Sequence, residues 1–237
     1  EPDHAYAYAY VAALNYLVYG RIDEALVWYQ RAAQHDSKSS NLQGVQGLPY
    51  LEIGDLDSAE VWVELGLDLD ANAYYTSYAN LMLHIRRDQM AEAVRVARQM
   101  LETYPRDWAA LNVLCNADIA NDRYAVAKAR YEREFRELAT QDNPEIDRTN
   151  YAVAVDFAHI LLRVGEKERA HKLLDASLAY IATLPRLGTH GYYVTDVRIL
   201  ALQNRNQEAL EALRVAADDG WRFLVWYFMN NDPILDT

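Results

Sequence analysis

The sequence predicts an all-α solenoid of stacked helix-turn-helix repeats, and three observations carry that prediction. Alanine returns at Ala25, Ala59, Ala93 and Ala127, each step being 34 residues, a period at which helix pairs stack on one another. A Gly or Asp keeps the same beat five residues earlier, at Gly20, Gly54, Asp88 and Asp122, where a turn must fall before the alanine-bearing helix begins. Only 9 Gly and 6 Pro occur among 237 residues, and alternating Val, Ile and Thr runs bounded by turns are missing, so strands have little support.

The first helix pair is expected over residues 4–39. Its second helix puts Ile22, Ala25, Leu26, Tyr29 and Ala32 on one face by i, i+3, i+4, i+7 spacing. In its first helix Tyr6, Tyr8 and Tyr10 are separated by about 200° per step, so they cannot share one buried stripe and at least one meets solvent or a ligand. The second pair, 40–73, carries Ala59, Val63 and Gly66, and its Gly44 and Gly47 fall in a helix-forming frame rather than a phosphate-binding loop. The third, 74–107, repeats the apolar face as Met90, Ala93, Val94, Ala97 and Met100 before Pro105 ends the helix. The fourth, 108–142, opens at Trp108 and contains Ala127 and Tyr131.

After the fourth pair the beat slips: Ala170 follows Ala127 by 43 residues and Ala209 follows Ala170 by 39. Two insertions account for this. One is the polar stretch from Glu137 to Arg148, with Gln141, Asp142, Asn143 and Pro144; the other is Thr183 to Gly191, broken by Pro185, Gly188 and Gly191. A fifth pair, 148–183, turns at Gly165, and a sixth, 190–219, at Asn204. Residues 220–237 crowd Trp221, Phe223, Val225, Trp226, Tyr227, Phe228 and Met229 ahead of Asp232 and Pro233, and are expected to fold back as an aromatic cap over the sixth pair. The whole is expected as one solenoid domain over 1–237. It starts at Glu1 without Met and enters a helical pattern at once, as a piece of a longer protein or a processed product would.

Composition narrows the function. With 23 Lys and Arg against 35 Asp and Glu, the formal charge of −12 repels phosphate backbones and anionic membranes, so direct nucleic-acid binding is not expected. No stretch reaches the roughly 18 consecutive apolar residues of a membrane span, so membrane insertion is not expected either. The single cysteine, Cys115, sits in an apolar helical stretch as a small buried thiol, and leaves the compartment open between cytoplasm and periplasm. No nucleotide-loop, zincin, CxxC or nucleophile-elbow motif occurs, and the six histidines show no ligand spacing. The chain is therefore expected to be no enzyme and to need no metal or cofactor.

Ala25, Tyr29 and Ala32, then Ala59, Val63 and Gly66, then Ala93 with Pro105, then Ala127 with Tyr131 resemble the units of a tetratricopeptide repeat array. Gly47 and Tyr50 stand where that family favours Gly and Tyr. The resemblance implies a right-handed superhelical solenoid of about six repeats whose first helices line a concave groove that binds a peptide or protein. Registered on the recurring alanine, the groove-facing candidates are Tyr10 and Leu14; Asn41 and Leu48; Tyr75, Tyr78, Met82 and Arg86; Asn112 and Asn116; Asp156, His159 and Arg163; and Arg198. Asn116, His159 and Arg198 take equivalent slots in three successive units, so their tips are expected to converge on an acidic group of a partner. This matches in part the carboxylate clamp of chaperone-binding members, with Asn112 and Val194 where that clamp has lysines. The ending, Gly-Trp-Arg followed by aromatics and Asp-Pro, resembles the close of tetratricopeptide regions in large bacterial signalling proteins. The function implied is a regulatory arm binding a partner segment; the alternative is a self-association module forming a homodimer through the aromatic tail and surface tyrosines.

Overall fold

The structure is a computed structural model that describes residues 2–139 and 144–235. Gln141, Asp142 and Asn143 of the first expected insertion lie outside the described residues, as do the last two positions of the expected cap. Among the described residues there are fifteen helical segments and no strand. They divide into two compact units, one of residues 1–110 with 220–227 and one of residues 111–219 with 228–237.

The first unit contains α1 (Pro2–Leu17), α2 (Ile22–His35), α3 (Ser40–Gly44), α4 (Gly47–Ile53), α5 (Leu56–Leu69), α6 (Tyr74–Arg86) and α7 (Met90–Thr103). The second contains α9 (Tyr124–Glu134), α10 (Arg136–Ala139), α11 (Tyr151–Arg163), α12 (Lys167–Ile181), α13 (Thr195–Leu202) and α14 (Asn206–Asp218). Two helices, α8 (Trp108–Ile119) and α15 (Val225–Asn231), have residues in each unit.

The turns within the helix pairs obey one rule. Gly20, Gly54, Asp88, Asp122, Gly165 and Asn204 all have positive φ, and each stands five residues before a recurring alanine. The left-handed residue lets the next backbone N–H reach back to the helix it leaves: Gln89 donates to the His84 carbonyl at 2.9 Å, Glu166 to Leu161 at 2.8 Å and Arg205 to Leu200 at 2.9 Å. Carbonyls that a helix end would otherwise leave bare are thereby satisfied, and the chain reverses in a few residues. The following helix then presents its alanine inward. Ala25, Ala59, Ala93, Ala127 and Ala170 are fully buried and Ala209 nearly so, because a methyl is the largest side chain that lets helices of a pair approach to about 8 Å.

The first helix of the second pair is not continuous as the frame suggested: it is α3 and α4, offset at Val45 and Gln46. Gly44 explains the close contact there, since a Cβ added to it would stand 2.3 Å from Thr76 Oγ1. Ser40 Oγ donates to the Gly66 carbonyl at 2.9 Å and Thr76 Oγ1 to the Ser40 carbonyl at 2.8 Å, so small residues and hydroxyls hold α3, α5 and α6 together. In the second unit Arg186 organises the Thr183 to Gly191 insertion. It donates to the Tyr193 carbonyl at 2.8 Å and grips Asp196 with two nitrogens at 3.1 and 2.7 Å.

The turn rule is testable at Gly165, whose φ is +85 and where a Cβ would meet nothing within 4 Å. Gly165→Ala therefore isolates the conformational cost, and urea unfolding is expected to show a loss of about 1 kcal/mol, with Gly165→Asn losing less. An alanine variant as stable as the native chain would show that the left-handed turn is dispensable.

Candidate functional site

The first-helix residues gather in each unit around a stretch of the C-terminal segment. In the first unit the focus is Glu52 on α4. Its Oε1 accepts from Tyr16 Oη of α1 at 2.6 Å and from the Leu224 N–H at 2.7 Å. The Tyr16 ring meets Phe223 edge-on at 5.5 Å, and the Arg86 guanidinium of α6 lies 4.9 Å from the Trp226 ring centroid. Burial lifts the Glu52 carboxyl to about 7, against the opposing pull of Tyr16, Leu224 and Arg86.

The candidates of this unit divide. Tyr10 and Tyr75 are exposed, at 66% and 51%, with Leu14 and Tyr6 also open beside Tyr10 on α1. Tyr8, between the exposed tyrosines in sequence, instead stacks on Trp28 at 5.7 Å. Asn41 caps the start of α6, its Oδ1 accepting from the Tyr75 N–H at 2.8 Å. Tyr78 stacks on Tyr74 with centroids 6.4 Å apart, and burial pushes its phenol up. Arg86 is engaged by Trp226.

In the second unit the focus is Arg198. It is 2% exposed; Nη2 donates to Asp156 Oδ1 and Nε to Asp232 Oδ2, each at 2.6 Å. Expected to meet a partner's acidic group, Arg198 holds two carboxylates of its own chain. Asn116 Nδ2 donates to Asn112 Oδ1 at 3.1 Å, while Asp156 Oδ2 is buried with no hydrogen-bond partner. Burial raises the Asp156 carboxyl, with Arg198 and Asn112 opposing the rise. His159 is buried and accepts at Nε2 from Arg163 Nε, 3.3 Å away, which requires a neutral imidazole with its proton on Nδ1. Burial, then Arg163 and Arg198, lower His159 to about 4. Arg163 itself is exposed.

The sequence reading missed Tyr16, Glu52 and Asp232. Asp232 did carry a signal: it stands one 34-residue period after Arg198. The segment expected as one cap is divided, residues 228–235 belonging to the second unit, where Asp232 meets Arg198, and residues 220–227 to the first. Elsewhere, a cleft of about 730 Å³ lined by α5, α6 and α7 has both its arginines held, Arg87 by Glu60 and Arg95 by Glu92 at 2.7 Å. Among the described residues no group of three or more His, Cys, Asp and Glu gathers as a metal site requires. Nor is any described helix long and apolar enough to cross a membrane. Cys115 is buried and its thiol is pushed up by that burial.

The two shifted groups give stability opposite pH slopes. His159 folds neutral with a value near 4 against 6.5 when unfolded, so the stability it confers is present above 6.5 and lost as pH falls toward 4. Glu52 prefers its proton when folded, so its contribution is present below 4.5 and lost as pH rises through about 7. Taking the difference between native chain and variant isolates one group. His159→Gln is expected to spare about 2 kcal/mol of the stability lost between pH 7.5 and pH 5, read from urea midpoints. Parallel curves for the two proteins would mean that His159 is not held neutral.

No protein-family model matches the sequence, and no curated protein matches it. Among solved structures, a tetratricopeptide repeat protein from Parabacteroides merdae ATCC 43184 superimposes with a TM-score of 0.53 at 19% identity, over 87% of this chain and 68% of that one. The Naa15/Naa10 structure bound to HypK-THB aligns with a TM-score of 0.36 at 19% identity, over 92% of this chain and 32% of that one. Helix pairs turning on left-handed residues and closing on a recurring buried alanine, together with the first of these likenesses, make this a tetratricopeptide-repeat-like fold.

Proposed function

We propose that the chain is a non-catalytic interaction scaffold, a regulatory arm that takes a segment of a partner protein on the side formed by its first helices. One observation carries the reading. In each unit, residues of the first helices already hold a stretch of the chain's own C-terminal segment, through Tyr16, Glu52 and Arg86 in one and Arg198 in the other. A surface that binds a short aromatic and acidic segment in its own chain has the chemistry to bind one in another. Tyr10 and Tyr75 remain exposed and supply rigid aromatic area of the kind that anchors peptides.

The test is selection of displayed random peptides on the full chain. Binders are expected, and Tyr10→Ala or Tyr75→Ala is expected to weaken them about tenfold, equivalent to about 1.4 kcal/mol, while circular dichroism stays unchanged. The reading is lost if no peptide is enriched, or if neither substitution affects those that are.

A second reading, self-association, is favoured by the stripe of Tyr6, Tyr10 and Leu14, which recurs every four residues on α1 and is exposed along its length. It predicts a concentration-dependent dimer in sedimentation velocity that Tyr6→Glu converts to monomer. Sedimentation as a monomer at all concentrations would exclude it.

A further inference from the structure

The second helix of each pair turns one face to its partner helix and the opposite face outward, where water normally selects polar side chains. α5 departs from this. Val61, Leu65 and Leu69, at i, i+4 and i+8, form a straight apolar row about 12 Å long and are 45–54% exposed. The repeat does not require the row. In the neighbouring pairs, 34 residues away, the slot of Leu65 holds Arg31 and Gln99 and that of Leu69 holds His35 and Thr103, all four exposed. Val61 shares its slot with Val27 and Arg95. α2 and α7 therefore fold with polar side chains where α5 carries leucine, so the two leucines answer to something outside the helix pair.

An acidic row runs beside the apolar one. Glu60, Glu64 and Asp68 repeat the same four-residue step one position earlier, and Asp57 continues the apolar row at its N-terminal end. Glu60 is taken by Arg87, which also lies 3.8 Å from Asp57, and Arg95 of the same cleft is taken by Glu92. Glu64 and Asp68 are exposed and have no ion pair among the described residues. The face is thus an aliphatic row with two uncompensated carboxylates along one edge, on a chain of formal charge −12. A second copy would bring like charge to it, since an antiparallel pair of α5 helices sets acidic row against acidic row. A partner with a basic row meets the same edge with opposite charge. Its backbone must also satisfy itself, because Val and Leu side chains offer no hydrogen bonds; a helix does this and an extended segment does not.

We infer that the outer face of α5 is a docking surface for an amphipathic helix of a basic partner, with aliphatic side chains packed on Val61, Leu65 and Leu69 and a row of Lys or Arg against Glu64 and Asp68. Two helices crossing at about 20° keep such rows in register over about two turns, which matches the length of the apolar row. The aliphatic row supplies affinity by burial, while the acidic edge selects the charge of the partner and speeds its approach, an effect that salt reduces. This surface belongs to a second helix, so it goes beyond the first-helix side proposed above, and its failure leaves that reading untouched.

The experiment uses the full chain and a fluorescein-labelled helical peptide of about 18 residues, leucine on one face and lysine on the other, read by fluorescence anisotropy. A peptide with glutamate for every lysine is the charge control. The lysine peptide is expected to bind the native chain, and to bind at least tenfold more weakly to Leu65→Gln/Leu69→Thr, which carries the residues that α7 has at those slots. Glu64→Gln/Asp68→Asn is expected to weaken binding about fivefold and to flatten its salt dependence. Asp23→Asn/Asp218→Asn, which removes two exposed acids from other helices, is expected to leave both unchanged. Equal binding to the native chain and the leucine variant, equal binding of the lysine and glutamate peptides, or no binding at all overturns the proposal. So does a loss in the acidic-row variant no larger than in the Asp23 and Asp218 control. A native chain that sediments as a dimer and turns monomeric on Leu65→Gln/Leu69→Thr gives the face to a second copy and overturns it as well.

Discussion

A residue forced into the left-handed region at the turn within each helix pair is the constraint from which the other regularities follow. It ends one helix, satisfies that helix's last carbonyls and aims the next helix back along the first, so that the residue five places on always points into the pair. Only a side chain as small as alanine then fits at the crossing, and Ala25 through Ala170 leave no surface exposed. Gly meets the conformational demand at no steric cost. Asp88, Asp122 and Asn204 meet it because short polar side chains tolerate the left-handed region better than other non-glycine residues do. The turn and the alanine therefore form one unit of information, and either alone would leave the helix pair free to splay.

With the helices so placed, the first helices carry charged groups into burial, and the surroundings decide what each becomes. Along α11 every position from Val153 to Leu161 is buried, and the two ionisable ones, Asp156 and His159, lie on the same element. Asp156 is kept by the Arg198 guanidinium. His159 is pushed toward its neutral form by burial first and then by the cations Arg163 and Arg198, and its Nε2 accepts from Arg163. Glu52 faces the reverse balance: burial outweighs the two donors Tyr16 and Leu224 and the nearby Arg86, and its carboxyl rises. Buried ionic groups of this sort seldom add to stability over apolar replacements, so their presence asks for a purpose in specifying what sits against them.

The repeats were legible because they rest on local chemistry: turn residues, a 3.6-residue apolar period and a small residue at fixed spacing are all written within one helix pair. Each of the six turns therefore falls at the residue read from sequence. The site was legible only in part, for a physical reason. Registering Arg198 on the repeat says which helix it belongs to, but its partners come from residues 42 positions before and 34 after, and burial rather than spacing decides that it is filled from within. Glu52 gave no signal at all, since a lone glutamate near a helix end reads as a solvated surface group until Tyr16 and Leu224 close over it. Tyr10 and Tyr75 were placed by register and are exposed, while Asn112, taken for a groove-facing residue, is buried and supports Asp156.

The C-terminal segment is held by few strong contacts, and this bears on how it acts. In the first unit a carboxylate on α4 takes the Leu224 N–H, and Leu224 itself sits at φ +54, a conformation that costs a leucine about 1 kcal/mol or more. In the second unit Arg198 takes Asp232 at Nε and Asp156 at Nη2. A hydrogen bond to a charged group contributes about 1.5 to 3 kcal/mol, comparable to or larger than the conformational cost at Leu224. On the proposed scaffold reading, a partner segment would have to compete with these contacts, so their strength, rather than the shape of the helices, would set how readily it is taken up.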